Sequence, residues 1–325
     1  MREIGLMDVG GFRVGHAQNR VAATGCTVLL PDKAAPCGAE VRGGGPASRE
    51  TQLLQPQMDC QAVHGILLAG GSAFGLDAAG GVQQYLEERE IGFDTGVAKV
   101  PLVCQSDLFD LGLGDPKVRP DAAMAYSACE HASYQAPLQG NVGAGTGCSV
   151  GKLKGMGRAM KSGIGTFAVE VGRVKVGALV AVNALGDIFD GRTNRFVAGL
   201  LTPDGRALSG TLEEWWAGAE TPLWGGNTTL GIIVTNAQFD KPRLSKIAGM
   251  THNGYARAIR PVHTMADGDT VYALSVGQEQ ADISLVGTLA AWVMERAIVR
   301  AAEMAESAYG LKAARDLQEG KGKTV

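Results

Sequence analysis

The stretch GGNTTLGIIVTNA, residues 225–237, sets two threonines between a Gly-Gly-Asn turn and an apolar run of strand length. A threonine hydroxyl in mid-chain is a poor nucleophile, because its proton is held far above pH 7. Breaking the peptide bond before Thr228 would free that residue's own α-amine, whose reference pKa of about 7.7–8.0 lies near neutrality. Such an amine can take the hydroxyl proton directly or through one water. A second cluster follows at Asp267-Gly268-Asp269, where two carboxylates flank a glycine immediately before another apolar run. Each stretch also has a plain reading, as a turn that leads into β-structure.

Other segments carry the letters of a motif without its context. Gly147-Cys-Ser-Val-Gly151 matches the GxSxG nucleophile elbow, yet the elbow needs a buried strand before it and here a glycine loop, GNVGAGT, precedes it. Residues 146–152 approach a phosphate-cradling loop, but Thr146 takes the place of its first glycine and Leu153 that of its Mg²⁺-binding hydroxyl. What survives is a loop of mobile backbone that delivers Lys152 to some site. His252, His263, Asp267 and Asp269 fit neither the HExxH pattern nor an EF-hand loop. Structural roles are expected for both histidines.

The elements that must position these groups are strands and helices in batches. Residues 2–35 read as β-hairpins and 65–69 as a buried strand. A helix-like spacing follows, with apolar residues at 74, 76, 78, 82 and 86. Residues 100–104 read as a strand, and 121–132 as a helix after Pro120. Two adjacent strands around a Gly-Arg turn are expected over 163–190. Residues 191–227 are the least regular stretch, the closest the chain comes to a linker. Residues 230–234 and 271–276 read as strands. Asp240 caps a helix with Pro242 in its first turn, running to about 259. A long amphipathic helix begins near Ile283 and ends near Gly310. The tail from Leu311 is expected to be loosely held at its end. This batching favours a mostly antiparallel sheet core with helices outside it.

Composition excludes several classes. Apolar residues are 45% and charged residues 19% of 325, the balance of a globular protein. A net charge of −3 gives no electrostatic reason to expect nucleic acid or an anionic membrane as partner. No apolar run approaches the ~18–20 residues needed to cross a bilayer. Six cysteines form no CxxC pair, and the start, MREIGLMDVGG, has no charged-then-apolar signal segment. A cytoplasmic protein with reduced thiols is expected. Forty-seven glycines, roughly twice average usage, imply many tight turns and close backbone approaches.

Six segments in order give a specific resemblance: residues 41–51, 64–82, 140–147, 177–187, 226–237 and 256–270. Together they resemble the L-aminopeptidase/D-esterase (DmpA-like) family, which includes the β-peptidyl aminopeptidases and the nylon-oligomer (6-aminohexanoate oligomer) endohydrolases. The resemblance implies a four-layered αββα sandwich of the N-terminal-nucleophile-hydrolase-like type. It also implies a precursor that cuts itself so that a new N-terminal residue becomes the nucleophile. The nylon-oligomer branch cuts between Asn and Thr, as Asn227-Thr228 would allow; the aminopeptidase branch cuts between Gly and Ser. The products would be an α chain, 1–227, and a β chain, 228–325, folded together as one domain. By the same resemblance Thr228 aligns with the nucleophile, Asp267 and Asp269 with the paired aspartates in DGD, Lys152 with the lysine of the family's AGK segment, and Asn183 with the asparagine just after the paired strand.

Physical roles follow from those alignments. The aspartates would orient and tune the α-amine, the lysine would help activate the hydroxyl and balance the carboxylates, and the asparagine amide would donate to a developing oxyanion. Lys154 and Lys161 lie in the same loop and compete for the lysine's place. Phe109 stands where the family has a tyrosine thought to face the substrate. Small amides or peptides would be the substrates, with no metal or cofactor and a homo-oligomer, a tetramer by resemblance. Two alternatives stay open: an autoprocessed acyltransferase of the ornithine-acetyltransferase type, and a non-enzymatic binding relative.

Overall fold

The computed structural model describes residues 1–218 and 226–317. Its two largest sheets stack face to face. The six-stranded sheet runs in the order Arg2–Ile4, Ile164–Val171, Val174–Asn183, Thr228–Ala237, Thr270–Glu279 and Cys37–Val41. The five-stranded sheet runs Phe12–Asn19, Thr24–Pro31, Gly65–Ala69, Val103–Asp107 and Ala47–Arg49. Each sheet has one parallel pair: Thr228–Ala237 beside Thr270–Glu279 in the first, and Gly65–Ala69 beside Val103–Asp107 in the second. The remaining pairs are antiparallel.

The helices are α1 (Ala79–Glu87), α2 (Ala122–Glu130), α3 (Thr211–Ala217), α4 (Lys241–Ala258) and α5 (Ile283–Glu303). Side chains alternate across a strand, and this alternation builds the layers. Leu230, Ile232 and Val234 face the five-stranded sheet and share a core with Phe12, Ile66 and Leu68. Ile233, Val176 and Val180 point the other way, against α4 and α5. Leu67, Val28 and Val103 form the opposite outer core with α1 and α2. Both faces of each central strand are covered, so these strands read as unbroken apolar runs. The architecture is the four-layered αββα sandwich.

Local chemistry sets most element ends. Asp121, Asp240 and Asp282 cap α2, α4 and α5 by accepting the backbone N–H of Met124, Arg243 and Leu285. The Gly172-Arg173 turn joins the two strands expected over 163–190.

Some expectations shift. Arg2–Ile4 leaves the N-terminal hairpin and pairs with Ile164–Val171 in the other sheet. The expected strand at 100–104 is centred later, at Val103–Asp107. The helix pattern from 74 opens as a 3₁₀ segment, Ser72–Ala78, before α1. α5 stops at Glu303, short of Gly310. The stretch read as linker-like contains strand Arg195–Ala198 and helix α3, and a further strand, Asp187–Asp190, lies just before it; its residues 219–225 lie outside the described residues, as does the tail beyond 317. Among the described residues no helix is long and apolar enough to cross a membrane.

Helices α4 and α5 pack closely enough to require glycine at one crossing. A Cβ at Gly254 would lie 2.3 Å from the Ala291 carbonyl oxygen and 3.0 Å from the Glu295 nitrogen. Both neighbours are backbone, so one helix must move to make room. Gly254→Ala is therefore expected to lower stability by about 1–3 kcal/mol, the usual range for overpacking. A lower urea midpoint with an unchanged slope is the expected readout; an unchanged midpoint would show that the crossing tolerates a methyl group.

Candidate active site

The register between two central strands brings the first candidates together. Asn183, the last residue of its strand, pairs across the ladder with Thr228, the first of its own. Both are buried. By strand alternation Thr228 lies on the face of Leu230 and Ile232, toward the other sheet, whereas Thr229 faces the helix layer. Its hydroxyl has no hydrogen-bond partner among the described residues.

The parallel neighbour supplies the carboxylates. An isolated bridge joins Asn227 to Asp267 just before the continuous ladder begins at Leu230 and Thr270. Asp269 Oδ1 accepts the Thr229 N–H at 2.8 Å, and its Oδ2 meets His263 Nδ1 at 2.8 Å. Asp267 Oδ2 accepts the backbone N–H and the hydroxyl of Thr264, at 2.7 and 2.6 Å. Burial and the neighbouring Asp269 carboxylate push the Asp267 carboxyl above the usual carboxylate range. The 42–45 backbone clamps the tripeptide from outside: Arg42 N–H donates to the Asp269 carbonyl and Gly45 N–H to the Asp267 carbonyl.

The Asn227 carbonyl, in the bond before Thr228, is held from two sides. It accepts the Gly268 N–H at 3.0 Å and also the Thr228 hydroxyl. Lys152 reaches in from the loop. Its ammonium donates to Asn183 Oδ1 at 3.0 Å, the Asn183 carbonyl at 3.1 Å and the Gly226 carbonyl at 3.0 Å. Burial pushes this lysine down to about 7, against the pull of Asp267, Asp110 and Asp269 toward the charged form. The competing lysines are placed differently. Lys161 is spent on the carbonyls of Gly145, Cys148 and Ser162, tying down the glycine loop. Lys154 lines the adjoining cavity.

Asn183 is oriented by its acceptors and donors. Its Oδ1 takes the Ser149 N–H at 3.1 Å, which identifies that atom as the oxygen, and its Nδ2 donates to the Phe109 carbonyl at 2.8 Å. One amide hydrogen is thus committed to Phe109, leaving the second for any oxyanion. The GxSxG segment finds its use here, since Ser149 is buried and orients Asn183. Beside the site lies a cavity of about 600 Å³ walled by Phe109, Leu113, Leu153 and Met156, with Lys152 and Asn227 at its edge. Phe109 places an apolar ring on that wall, where the resemblance would put a phenol.

His263 is the contact that sequence reasoning undervalued. Its ring stacks on Tyr255, 5.7 Å between centroids, and meets His252 edge-on at 4.7 Å. His252 has the structural role expected of it: its Nε2 bonds the Glu40 carbonyl, and burial pushes it down to about 4. His263 instead holds a candidate carboxylate. A histidine four residues before a DGD triplet was the signal, and its meaning depended on a chain reversal that spacing does not show.

Comparison with known proteins identifies the family and the fold. The profile of peptidase family S58 matches residues 5–315. An uncharacterized aminopeptidase of Mycobacterium tuberculosis is 36% identical over 350 residues, spanning 97% of this chain and 98% of its own. A 6-aminohexanoate-oligomer endohydrolase of Kocuria sp. is 31% identical, spanning 93% and 87%. Among solved structures, a Burkholderia sp. beta-aminopeptidase superposes with a TM-score of 0.70 at 20% identity, covering 97% of this chain and 92% of that one. The L-aminopeptidase D-Ala-esterase/amidase of Ochrobactrum anthropi, described as a variant of the Ntn hydrolase fold, gives 0.67 at 18% identity, covering 93% and 86%. A profile spanning nearly the whole chain sets aside the non-enzymatic reading: the chain belongs to peptidase family S58 and is a hydrolase of amide and peptide bonds.

Proposed function

We propose that this hydrolase is a self-processing amidohydrolase or aminopeptidase whose nucleophile is Thr228. The bond between Asn227 and Thr228 is cut by the chain itself, giving segments 1–227 and 228–325 that stay folded as one sandwich. The observation that carries this reading is the meeting, at one peptide bond, of a buried threonine hydroxyl, a paired-carboxylate turn and a lysine held near neutrality. Thr228 hydroxyl is the attacking group in both self-cleavage and turnover. Once freed, its α-amine serves as the general base, with Asp267 and Asp269 orienting the amine and balancing its charge. Lys152 neutralises the oxygen-rich site and, in its uncharged form, takes up the hydroxyl proton. Asn183 offers its second amide hydrogen to the oxyanion. Residues 226 and 227 border the cavity, so their departure opens it to the acyl part of a small amide or peptide.

The six free cysteines suit a reducing compartment, and we place the enzyme in the cytoplasm. We also assign it a homo-oligomeric, tetrameric assembly, on the family resemblance alone; size-exclusion chromatography with light scattering tests that, and a monomer would refute it.

Intact-mass analysis tests the central claim. Purified protein should give two fragments, the smaller beginning at Thr228, and Thr228→Ala should remain one chain of 33.7 kDa. A wild-type chain still uncut after prolonged incubation would overturn the reading. Asp267→Asn should slow turnover on the order of 10²-fold, the scale of a lost acid–base contribution. With an acyl donor and an added amine acceptor, free acid should exceed transfer product; the reverse would make the protein an acyltransferase.

The lysine gives a pH prediction. Burial brings the Lys152 ammonium down to about 7, well below an ordinary lysine, so its neutral form appears as pH rises through about 7. The self-cleavage rate should climb over that range and then level off, and Lys152→Met should abolish the climb. The same profile in Lys152→Met would take the lysine out of the proton path.

A further inference from the structure

The glycine between the two aspartates holds a position that a turn residue would not need. Gly268 N–H lies 3.0 Å from the Asn227 carbonyl oxygen, the acceptor that the Thr228 hydroxyl also touches. Its other face is pressed against the nucleophile: a Cβ there would sit 2.6 Å from Thr228 Oγ1 and 3.0 Å from the Gly45 carbonyl oxygen. The position therefore admits a backbone donor and excludes any side chain. The donor is held on both flanks, because Asp267 is fixed by Thr264 and Gly45 while Asp269 is fixed by His263 and Thr229. One amide hydrogen of Asn183, the side chain that sequence reasoning assigned to the oxyanion, is already given to Phe109.

We propose that the Gly268 N–H is an oxyanion donor for self-cleavage. The inference rests on reading Thr228 as the self-cleaving nucleophile. In the step, Thr228 Oγ bonds to the Asn227 carbonyl carbon and closes a five-membered ring, while its proton passes to a nearby base. The carbonyl π electrons move to the oxygen, which becomes the anion. The hydroxyl can no longer donate to that oxygen, and the Gly268 N–H stays on it. Collapse of the ring restores the carbonyl and breaks the C–N bond, and the proton returns to the nitrogen, which leaves as the α-amine. Water then hydrolyses the ester, giving the Asn227 carboxylate and the free Thr228 hydroxyl. A preorganised backbone donor aimed where charge develops requires no rearrangement at the moment of reaction.

The test removes one hydrogen and adds no side chain. Gly268→glycolic acid, introduced in cell-free synthesis, turns the Asp267–Gly268 amide into an ester. Self-cleavage followed by intact mass should slow by about 10²–10³-fold, the usual loss for one oxyanion donor. Gly172→glycolic acid, in the exposed turn at the end of the Val174–Asn183 strand opposite Asn183, should cleave at the wild-type rate. Wild-type speed in the 268 ester, or equal slowing in the 172 ester, overturns the proposal. A second measurement needs no ester and so does not depend on whether that chain folds. In uncut Thr228→Ala, a through-hydrogen-bond coupling between Gly268 ¹⁵N and Asn227 ¹³C′ should be seen, and its absence overturns the proposal. A wild-type chain that never cuts refutes the Thr228 reading instead, so the two failures are distinguishable.

Discussion

The ladder position of Thr228 is the constraint on which the rest of the site depends. Its antiparallel pairing to Asn183 and the parallel neighbour Thr270–Glu279 place one residue between an amide and a carboxylate turn. A slip of one residue on either side would turn Thr228 to the helix layer and Thr229 to the site, since strand faces alternate. The register is strongly held because both faces are buried: Leu230 and Ile232 belong to the inter-sheet core, while Ile233 belongs to the outer one. The core thus decides which of two adjacent threonines faces the candidate site.

Electrostatics at this point follow from exclusion of water. Two carboxylates and an ammonium would interact weakly if solvated, but here all three lie where burial penalises charge. Asp267 responds by holding its proton more tightly, and Lys152 by releasing it more readily. Hydrogen bonds to charged forms keep the site from neutralising itself altogether, as in the pair of Thr264 bonds to Asp267. A lysine poised in this way near neutrality is what acid–base chemistry at pH 7 needs.

The glycine-rich segments have mechanical work at the site. The 140–151 loop carries Ser149 onto Asn183 and is tied by buried Lys161. The 42–45 segment lies against the backbone of the aspartate turn. Each brings backbone close to backbone, where a side chain would intervene. Strings that resemble an elbow or a phosphate loop arise from this need, in a chain that uses glycine for close approach.

The chain's order of residues by itself determined the layers: apolar runs of strand length, capping aspartates at three helices and batches of elements made the sheet-and-helix sandwich legible. Thr228, the aspartate pair, Lys152 and Asn183 were nameable from motifs and resemblance, because their residue types are few and their segments distinctive. Tertiary structure alone decided the rest. It paired Arg2–Ile4 with a strand far along the chain, separated Lys152 from Lys161, turned one Asn183 amide hydrogen toward Phe109 and set His263 on Asp269. Spacing along a chain reports alternation within a strand but not which strand lies beside it or how a loop reverses. Those contacts join residues with no fixed separation, and only packing of the two cores brings them within hydrogen-bond reach.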